Sequence, residues 1–379
     1  MSQIEVTVSI VTYNSKNVLE NCIASIIETT KDMRIEIIVV DNCSEDGSAE
    51  LVKTHFPYVR LIENIENVGF GKAHNQSFRI SKGKYFLILN PDTIVFPNAI
   101  KKMVEFMDSH EHVGVAGCKI YWDDGKNFMF PDLRIHNLKM GIFHFTPFYR
   151  YFPNSLISKR YRETAYTLWD TQIPIEVNGI TGGLMLVRRE AFESVGFFDE
   201  KYFLFFEEHD LLKRIKKKGW GIYYLPDAVI QHYFEESVRN SSIDMGVVYT
   251  QSAFYYYKKH YKIPGYLFIK SVFALNKFIL LIEQKILHNK NTYTEVYPIN
   301  GRLTIKWPNH KKAKKYIVEI SYSPVFSDRG GMYVTGETVS LKSDILKRLP
   351  HETGFLRVTP VYPDNSIGEV IKVFKITKR

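Results

Sequence analysis

Apolar residues over the first 120 positions fall into two alternating rhythms. Val6 to Val11 is an unbroken apolar run of strand length. After the helix-capping pair Asn14-Ser15, Val18, Leu19, Cys22, Ile23, Ile26 and Ile27 recur at helical spacing. Ile35 to Val40 predicts a second strand, Gly47-Ser48 opens a short helix that stops before Pro57, and Val59 to Ile62 predicts a third strand. Gly71 to Ile80 reads as a helix and Tyr85 to Leu89 as a fourth strand. Phe96-Pro97 starts a further helix, with Pro where its missing N–H is tolerated. This alternation predicts an α/β fold, a mostly parallel sheet with helices on both faces that binds ligands at the carboxyl ends of its strands. Three polar groups fall at those ends: Thr12-Tyr13-Asn14, Asp41-Asn42 and Asn90-Pro91-Asp92.

The rhythm is lost over residues 121–175, a long aromatic-rich stretch with Phe143, Phe145, Phe148, Tyr149, Tyr151 and Phe152. Irregular stretches of that length are functional or disordered. Regular structure resumes at Val177, with a strand from Leu184 to Val187 and another around Tyr223 to Leu225 that ends in a Pro226-Asp227 turn. Residues 247–290 are apolar and helical, but Lys270, Lys277 and Gln284 interrupt the run from Tyr266 to Leu287. It therefore falls short of the ~20 apolar residues a membrane span needs. With Lys258-Lys259-His260 and Lys262 just ahead of it, the segment suits either the bilayer interface or a helical cap packed on the preceding domain. From about Tyr297, Leu303, Ile305 and Trp307 alternate with polar residues, as do Tyr316, Val318 and Ile320. Turn-forming groups stand between such runs, at Ser327-Asp328-Arg329-Gly330-Gly331 and Pro363-Asp364-Asn365. The pattern predicts a small β-sandwich that resembles a fibronectin type III module.

Charge alters this picture in one respect. The 379-residue chain carries a net +9. Residues 1–240 hold 28 Lys and Arg against 31 Asp and Glu, a net −3, whereas residues 241–379 hold 22 against 10, a net +12. The apolar helix beside this charge points to an anionic membrane surface rather than nucleic acid, so no nucleic acid is expected; plain solvated charge is the alternative. Cys22, Cys43 and Cys118 are far apart without metal-type spacing and read as reduced packing residues. Met1-Ser2-Gln3-Ile4-Glu5-Val6 has no basic start or apolar signal run and reads as the lead-in to a strand. Together these predict a cytoplasmic protein, peripheral on the inner face of the cell membrane.

Six motifs occur in order: Val8-Ser9-Ile10-Val11-Thr12-Tyr13-Asn14; Val39-Val40-Asp41-Asn42-Cys43-Ser44 with Asp46-Gly47-Ser48; Asn64-Ile65-Glu66-Asn67-Val68-Gly69-Phe70-Gly71 with Asn75; Leu89-Asn90-Pro91-Asp92; Gly179-Ile180-Thr181-Gly182-Gly183; and Phe206-Glu207-Glu208-His209-Asp210-Leu211 followed by His232. Over residues 8 to about 235 the chain resembles family 2 inverting glycosyltransferases, most of all their rhamnosyltransferase-like subgroup. The resemblance implies a GT-A nucleotide-diphospho-sugar transferase fold with a helical extension and a C-terminal sandwich. It implies three domains: a catalytic domain (1–245), an amphipathic helical extension (246–292) and a sandwich (293–379). It also implies transfer of a sugar from a nucleotide-diphosphate donor to a hydroxyl of a glycan or lipid-linked acceptor in the cell envelope. A catalytically inactive glycan-binding scaffold at the membrane is the rival reading. A sugar nucleotidyltransferase is disfavoured because Thr12-Tyr13-Asn14-Ser15-Lys16 is not a Gly-rich basic loop.

The motif residues carry distinct chemistry. A carboxylate ending a buried strand needs a partner, and by resemblance Asp41 accepts a hydrogen bond from the base, with Thr12, Tyr13 and Asn14 beside the nucleoside. Asn90-Pro91-Asp92 stands where the fold has its Asp-X-Asp motif, so Asp92 is the one anionic ligand of this turn for Mg²⁺ or Mn²⁺, with His232 as the second. Inversion needs a base opposite the departing diphosphate. The family usually has Glu-Asp where this chain has Glu207-Glu208, which makes Glu208 the expected base, Asp210 its main rival and Glu207 the third candidate. Plain helix capping is the alternative for all three acids. Asn67, Gly69, Phe70 and Asn75 are expected to line the donor site, which position 74, a His, shows is not a dinucleotide fingerprint. Gly182 and Gly183 would let backbone approach a sugar closely; plain β-turn glycines are the alternative.

Overall fold

The computed structural model describes residues 4–123, 125–130, 137–146, 152, 154–156, 163, 166–233, 244–286, 293–299, 302–321, 329–342 and 353–377. They gather in two compact units, one of residues up to 120 and 171–260, the other of 121–131, 136–170 and 261–379. The division runs through the expected helical extension, and it assigns most of the aromatic stretch to the unit of the C-terminal strands.

In the first unit the expected alternation is realised as β1 (Val6–Thr12), α1 (Lys16–Thr29), β2 (Ile35–Asp41), α2 (Ser48–His55), β3 (Arg60–Glu63), α3 (Phe70–Ile80), β4 (Tyr85–Leu89), β5 (Thr93–Val95), α4 (Ala99–Ser109) and β6 (Val113–Tyr121). The second unit then contributes α5 (Leu138–Phe145). The first resumes with β7 (Ile175–Glu176), β8 (Leu184–Arg188), α6 (Arg189–Ser194), α7 (Glu207–Lys217) and β9 (Gly221–His232). Among the described residues these strands form a nine-stranded sheet, β3-β2-β1-β4-β8-β6-β9-β5, with β7 on β9. Strand β1 is buried along its whole length, as a sheet covered on both faces requires.

Two expectations are corrected here. The sheet is mixed, not mostly parallel: β1 to β4 run parallel, but β8 is antiparallel to β4 and to β6, and β5 and β7 are antiparallel to β9. A buried antiparallel strand is apolar throughout, so its pattern cannot be told from a parallel one. The consequence is functional, because Leu184 at the start of β8 pairs with Leu89 at the end of β4, which brings Gly182-Gly183 to the carboxyl rim. Nor is Pro226-Asp227 a turn. Strand β9 continues through it to His232, and Pro226 falls between the stretch paired with β7 and the stretch paired with β5.

The helix α8 (Met245–Ile286) is broken at Lys262 (φ 60°, ψ −154°), two residues before Pro264. Residues of α8 up to His260 belong to the first unit and those from Tyr261 on to the second. No helix of the described residues is long and apolar enough to cross a membrane.

The second unit holds β10 (Thr294–Val296), β11 (Arg302–Lys306), β12 (Lys315–Ser321), β13 (Arg329–Val334), β14 (Thr338–Lys342), β15 (Thr353–Val361) and β16 (Lys372–Thr377). They make a five-stranded sheet, β10-β16-β15-β12-β13, and a two-stranded one, β11-β14. Strand β12 is buried on both faces because Tyr166 and Trp169, with Met129, cluster on Ile317 and Val361. Gly330 and Gly331, expected in a turn, lie inside β13. A Cβ on Gly331 would come within 2.1 Å of the Trp169 ring, and one on Gly330 within 3.0 Å of Trp122; ring packing, not turn geometry, requires them small. The Pro363-Asp364-Asn365 turn is present, closed by Asn365 N–H donating to Tyr362 O at 2.9 Å. Phe148, Tyr149, Tyr151, Leu287 and Ser327-Asp328 lie outside the described residues, as does the side chain of Gln284.

Candidate active site

The parallel strands end at one rim of the first unit, and Thr12 and Asp41 are register partners there. Asp41 is buried. Its Oδ2 accepts from Ser44 N–H at 2.9 Å, but Oδ1 and the Thr12 hydroxyl are buried without a hydrogen bond. Burial pushes the Asp41 carboxyl above the usual range, against the pull of the Ser44 N–H. The rim thus presents an unsatisfied acceptor and a hydroxyl side by side, and orphaned buried groups of this kind cost about 1–3 kcal/mol each until a ligand meets them. Half-buried Tyr13 and Asn14 follow on the same turn, where Asn14 (φ 50°) accepts from Glu45 N–H and donates its own N–H to Ser44 Oγ.

The end of β4 leads into the second group. Asn90 N–H donates to Gly183 O at 3.2 Å. His232 Nε2 lies 3.0 Å from Asp92 Oδ1 and 3.3 Å from Asn90 Nδ2, and Tyr233 N–H donates to Asp92 O. Thr93 and His232 are register partners in β5 and β9, so the strand continuing past Pro226 is what delivers the histidine. The two glycines fit between side chains: a Cβ on Gly183 would sit 2.7 Å from His232 Nδ1, and one on Gly182 would sit 1.4 Å from Glu208 Oε1. Asn90, Asp92, Gly182, Gly183, Glu208 and His232 therefore come together.

The three acids of α7 lie in its first turn rather than ahead of it, and they have three different surroundings. Glu207 is buried, and burial together with the neighbouring Glu208 charge pushes its carboxyl well up. Its Oε2 has no hydrogen bond. Glu208 is half-buried against Gly182. Burial raises its carboxyl to about 7, with the Gly182 N–H and the nearby His232 pulling the other way. Asp210 is fully buried, and against the push of burial it is held down at about 2 by His260, Arg214 and Lys259. Those contacts are 2.8 Å to His260 Nε2, 2.7 Å to Arg214 Nε and 2.7 Å to Lys259 Nζ. Both its oxygens are committed to this network, so Asp210 does not join Asp92 and Glu208.

Two left-handed residues, Phe205 (φ 68°) and Phe206 (φ 66°), turn the chain into α7, and no side chain caps the helix. Such a backbone is strained for bulky residues and persists only where packing fixes it. Tyr249 and Tyr256 of α8 supply that packing, their ring centroids 5.4 Å from that of Phe206. Sequence reasoning missed this device; the only signal was the spacing of aromatic residues 249 and 256, which reads equally as an apolar helix face. It left Lys259 and His260 between a bilayer interface and a helical cap on the preceding domain; both bind acids of the first unit, Asp199 and Asp210, as the cap reading expects.

The remaining expected donor residues serve the protein backbone. Gly69 (φ 86°) is obligatory, since a Cβ there would lie 2.4 Å from Phe203 O. Asn67 Oδ1 accepts from Gly69 N–H, and Phe70 N–H donates to Phe203 O. Asn75 donates to Phe198 O and Glu200 Oε1 and accepts from Phe198 N–H, so its amide is used in fastening residues 198–200. Asn67, Gly69 and Phe70 remain beside the rim through Asn42, whose Nδ2 donates to Gly69 O; Asn75 does not.

Asn90 Oδ1 is buried and accepts no hydrogen bond. With the Asp92 carboxylate and the His232 imidazole it offers a small oxygen–nitrogen donor set that fits a divalent cation keeping most positions for phosphate oxygens and water. Among the described residues no three His, Cys, Asp or Glu side chains gather as a metal site.

The family match covers the first part of this geometry: the model of Glycosyl transferase family 2 matches residues 7–196, half of the chain, and ends before Glu207, Glu208, Asp210 and His232. The chain is a family 2 glycosyltransferase. It is 30% identical over 237 residues to the N-acetylglucosaminyl-diphospho-decaprenol L-rhamnosyltransferase of Mycobacterium tuberculosis, covering 59% of this chain and 74% of that one. It is 31% identical over 121 residues to the succinoglycan biosynthesis protein ExoO of Rhizobium meliloti, covering 32% and 33%. Among solved structures it is similar to the mannosyltransferase PcManGT of Pyrobaculum calidifontis in complex with GDP-Man and Mn²⁺, at 17% identity and a TM-score of 0.41 over 76% of this chain and 82% of that one. The glycosyltransferase domain has the GT-A fold, followed by the additional C-terminal strands. Family membership removes the nucleotidyltransferase reading.

Proposed function

We propose that this glycosyltransferase moves a sugar, rhamnose in the reading its relative suggests, from a nucleotide-diphosphate donor to a hydroxyl of a lipid-linked cell-envelope glycan, with inversion. The observation that carries the reading is Glu208, raised to about 7 and packed on Gly182, next to the glycine that packs on His232. A carboxylate poised near neutrality is suited to take a proton from a hydroxyl during attack. Glu208 is thus the base. Asp210, whose oxygens are held in ion pairs, is not, and neither is buried Glu207.

On this reading Asp41 Oδ1 accepts from the nucleobase, an imide N–H being the matching donor, while Thr12, Tyr13 and Asn14 border the nucleoside. Asn67, Gly69 and Phe70 shape the adjoining loop, and Asn75 is a positioning residue for it. Gly182 and Gly183 leave room for the Glu208 and His232 side chains that would meet the sugar and the diphosphate. Asp92 and His232, with Asn90 Oδ1, would hold Mg²⁺ or Mn²⁺. A bound cation supplies positive charge to the diphosphate as its bond to the sugar breaks. Glu208 receives the acceptor proton as the hydroxyl oxygen bonds to the anomeric carbon, and the nucleoside diphosphate departs from the opposite face. We also read the two C-terminal sheets as the expected fibronectin type III-like module, and the enzyme as a cytoplasmic protein with three domains bounded near 245 and 292.

The test is nucleoside diphosphate release from a panel of nucleotide sugars in the presence of a polyprenyl-diphosphate-linked acceptor, with the anomeric configuration of the product read by NMR. Inverted product, lost on chelation and restored by Mn²⁺ or Mg²⁺, is expected. Retained configuration refutes the base assignment, and chelator-resistant turnover refutes the metal.

A further inference from the structure

Beyond the break at Lys262, α8 is apolar on both sides, but only one side is covered. Gly265, Ile269 and Val272 are buried, and Phe273 packs on Phe145 with ring centroids 4.8 Å apart. On the opposite side Ile263, Leu267, Ala274, Phe278 and Leu281 recur at three-, four- and seven-residue spacing and face solvent, with Ile263, Leu267 and Phe278 exposed by 67%, 58% and 59%. Lys270 and Lys277, seven residues apart and both exposed, run along one border of this stripe. Lys270 Nζ stands 5.2 Å from the Tyr266 ring centroid. No Asp or Glu occurs between Asp244 and Glu283.

We propose that this face of α8, from Ile263 to Ile282, lies in the surface of an anionic phospholipid bilayer. Two observations select that occupant. Apolar side chains of this size sink below the headgroups of a bilayer, while lysines along the edge reach its phosphates by their flexible stems. The charge is of one sign throughout, so a second copy of the same face would set lysine against lysine, whereas an anionic surface complements it. The helix is also too polar to cross the membrane and lies on it. This deepens the reading of a lipid-linked acceptor, but it rests on the helix itself, and binding is read without turnover.

The test is co-sedimentation of the full chain with vesicles of phosphatidylcholine alone and of phosphatidylcholine with about 30% phosphatidylglycerol, at low and high salt. Wild type should partition at least tenfold more onto the anionic vesicles, and salt should weaken this. Leu267→Glu with Phe278→Glu should lose binding at least tenfold with an unchanged melting temperature, since both positions are exposed. Lys270→Glu with Lys277→Glu should lose the preference for anionic lipid. Equal, weak sedimentation of wild type with both vesicles overturns the proposal. So does undiminished binding by the Leu267→Glu, Phe278→Glu variant, or a wild-type dimer that this variant splits. Glycosyl transfer to a soluble acceptor fragment would be untouched by any of these outcomes, so failure here leaves the catalytic reading standing.

Discussion

Replacing Gly182 by Ala adds one methyl group at the point where the site is tightest. Its Cβ would stand 1.4 Å from Glu208 Oε1 and 2.3 Å from Glu208 Cδ, against a normal contact of about 3.5 Å. The Glu208 carboxylate must therefore retreat by about 2 Å. The backbone tolerates Ala, because Gly182 does not have a left-handed φ, and the displaced group is the end of a long side chain. Stability should hardly change, whereas a base misplaced by more than ~1 Å should lower kcat about 100-fold, or about 2.7 kcal/mol on the barrier. Steady-state release of nucleoside diphosphate gives kcat, and calorimetric titration of the donor should show near-normal affinity. A Gly182→Ala enzyme within threefold of wild type would refute the packing argument.

The other predictions use the same rim. Because Glu208 acts deprotonated and its carboxyl is raised to about 7, kcat/KM should climb with pH, reach half its plateau near pH 7 and lose roughly tenfold per unit well below it; Glu208→Gln should be slower by orders of magnitude without that limb, while its donor affinity is retained. Asp41→Asn should weaken nucleotide binding at least tenfold yet leave the ligand-free melting temperature unchanged or higher, since Asp41 Oδ1 gains nothing in the free protein; a loss of stability equal to the loss of affinity would mark it as structural. Asp210, held at about 2 against an ordinary 3.8, should contribute about 2 kcal/mol that is complete above pH 5 and lost as acid takes the pH down through 2. Denaturant titrations of wild type and Asp210→Asn between pH 2 and 7 check this, and parallel curves would contradict it.

Much of this was legible from the chain. Strands β1 to β4 and the helices between them were expected within a residue or two, because apolar period and caps agree locally, as at Asn14-Ser15 before α1. The polar strand ends Thr12, Asp41 and Asn90 were legible for the same reason. Strand direction was not, since β8 is as apolar as a parallel strand, and neither was the passage of β9 through Pro226. Gly330 and Gly331 misled because a small residue demanded by a tryptophan ring and one demanded by a turn look alike in sequence. Asn75 misled because a polar motif position can serve the loop rather than the ligand. The two readings of Lys259 and His260 stayed open because a basic run carries no mark of which members turn inward.

The hardest element to read is also the most informative. Glu207, Glu208 and Asp210 share one helical turn, and as a string they look like interchangeable acids suited to a helix N-terminus. Their partners separate them. Successive residues on a helix point about 100° apart, so one turn can send a carboxyl into the core, another to the rim and a third into an ion-pair network. Burial and the Glu208 charge push the Glu207 carboxyl up, and Arg214, Lys259 and His260 absorb the charge of Asp210. What remains is one carboxyl near neutrality on a helix start whose strained Phe205-Phe206 entry is pinned by Tyr249 and Tyr256. A capping role would need none of this, since a solvated acid in the first turn already satisfies the dipole. Three acids in three such different surroundings hold their protons with different strength, and a proton-accepting site is what such a difference provides.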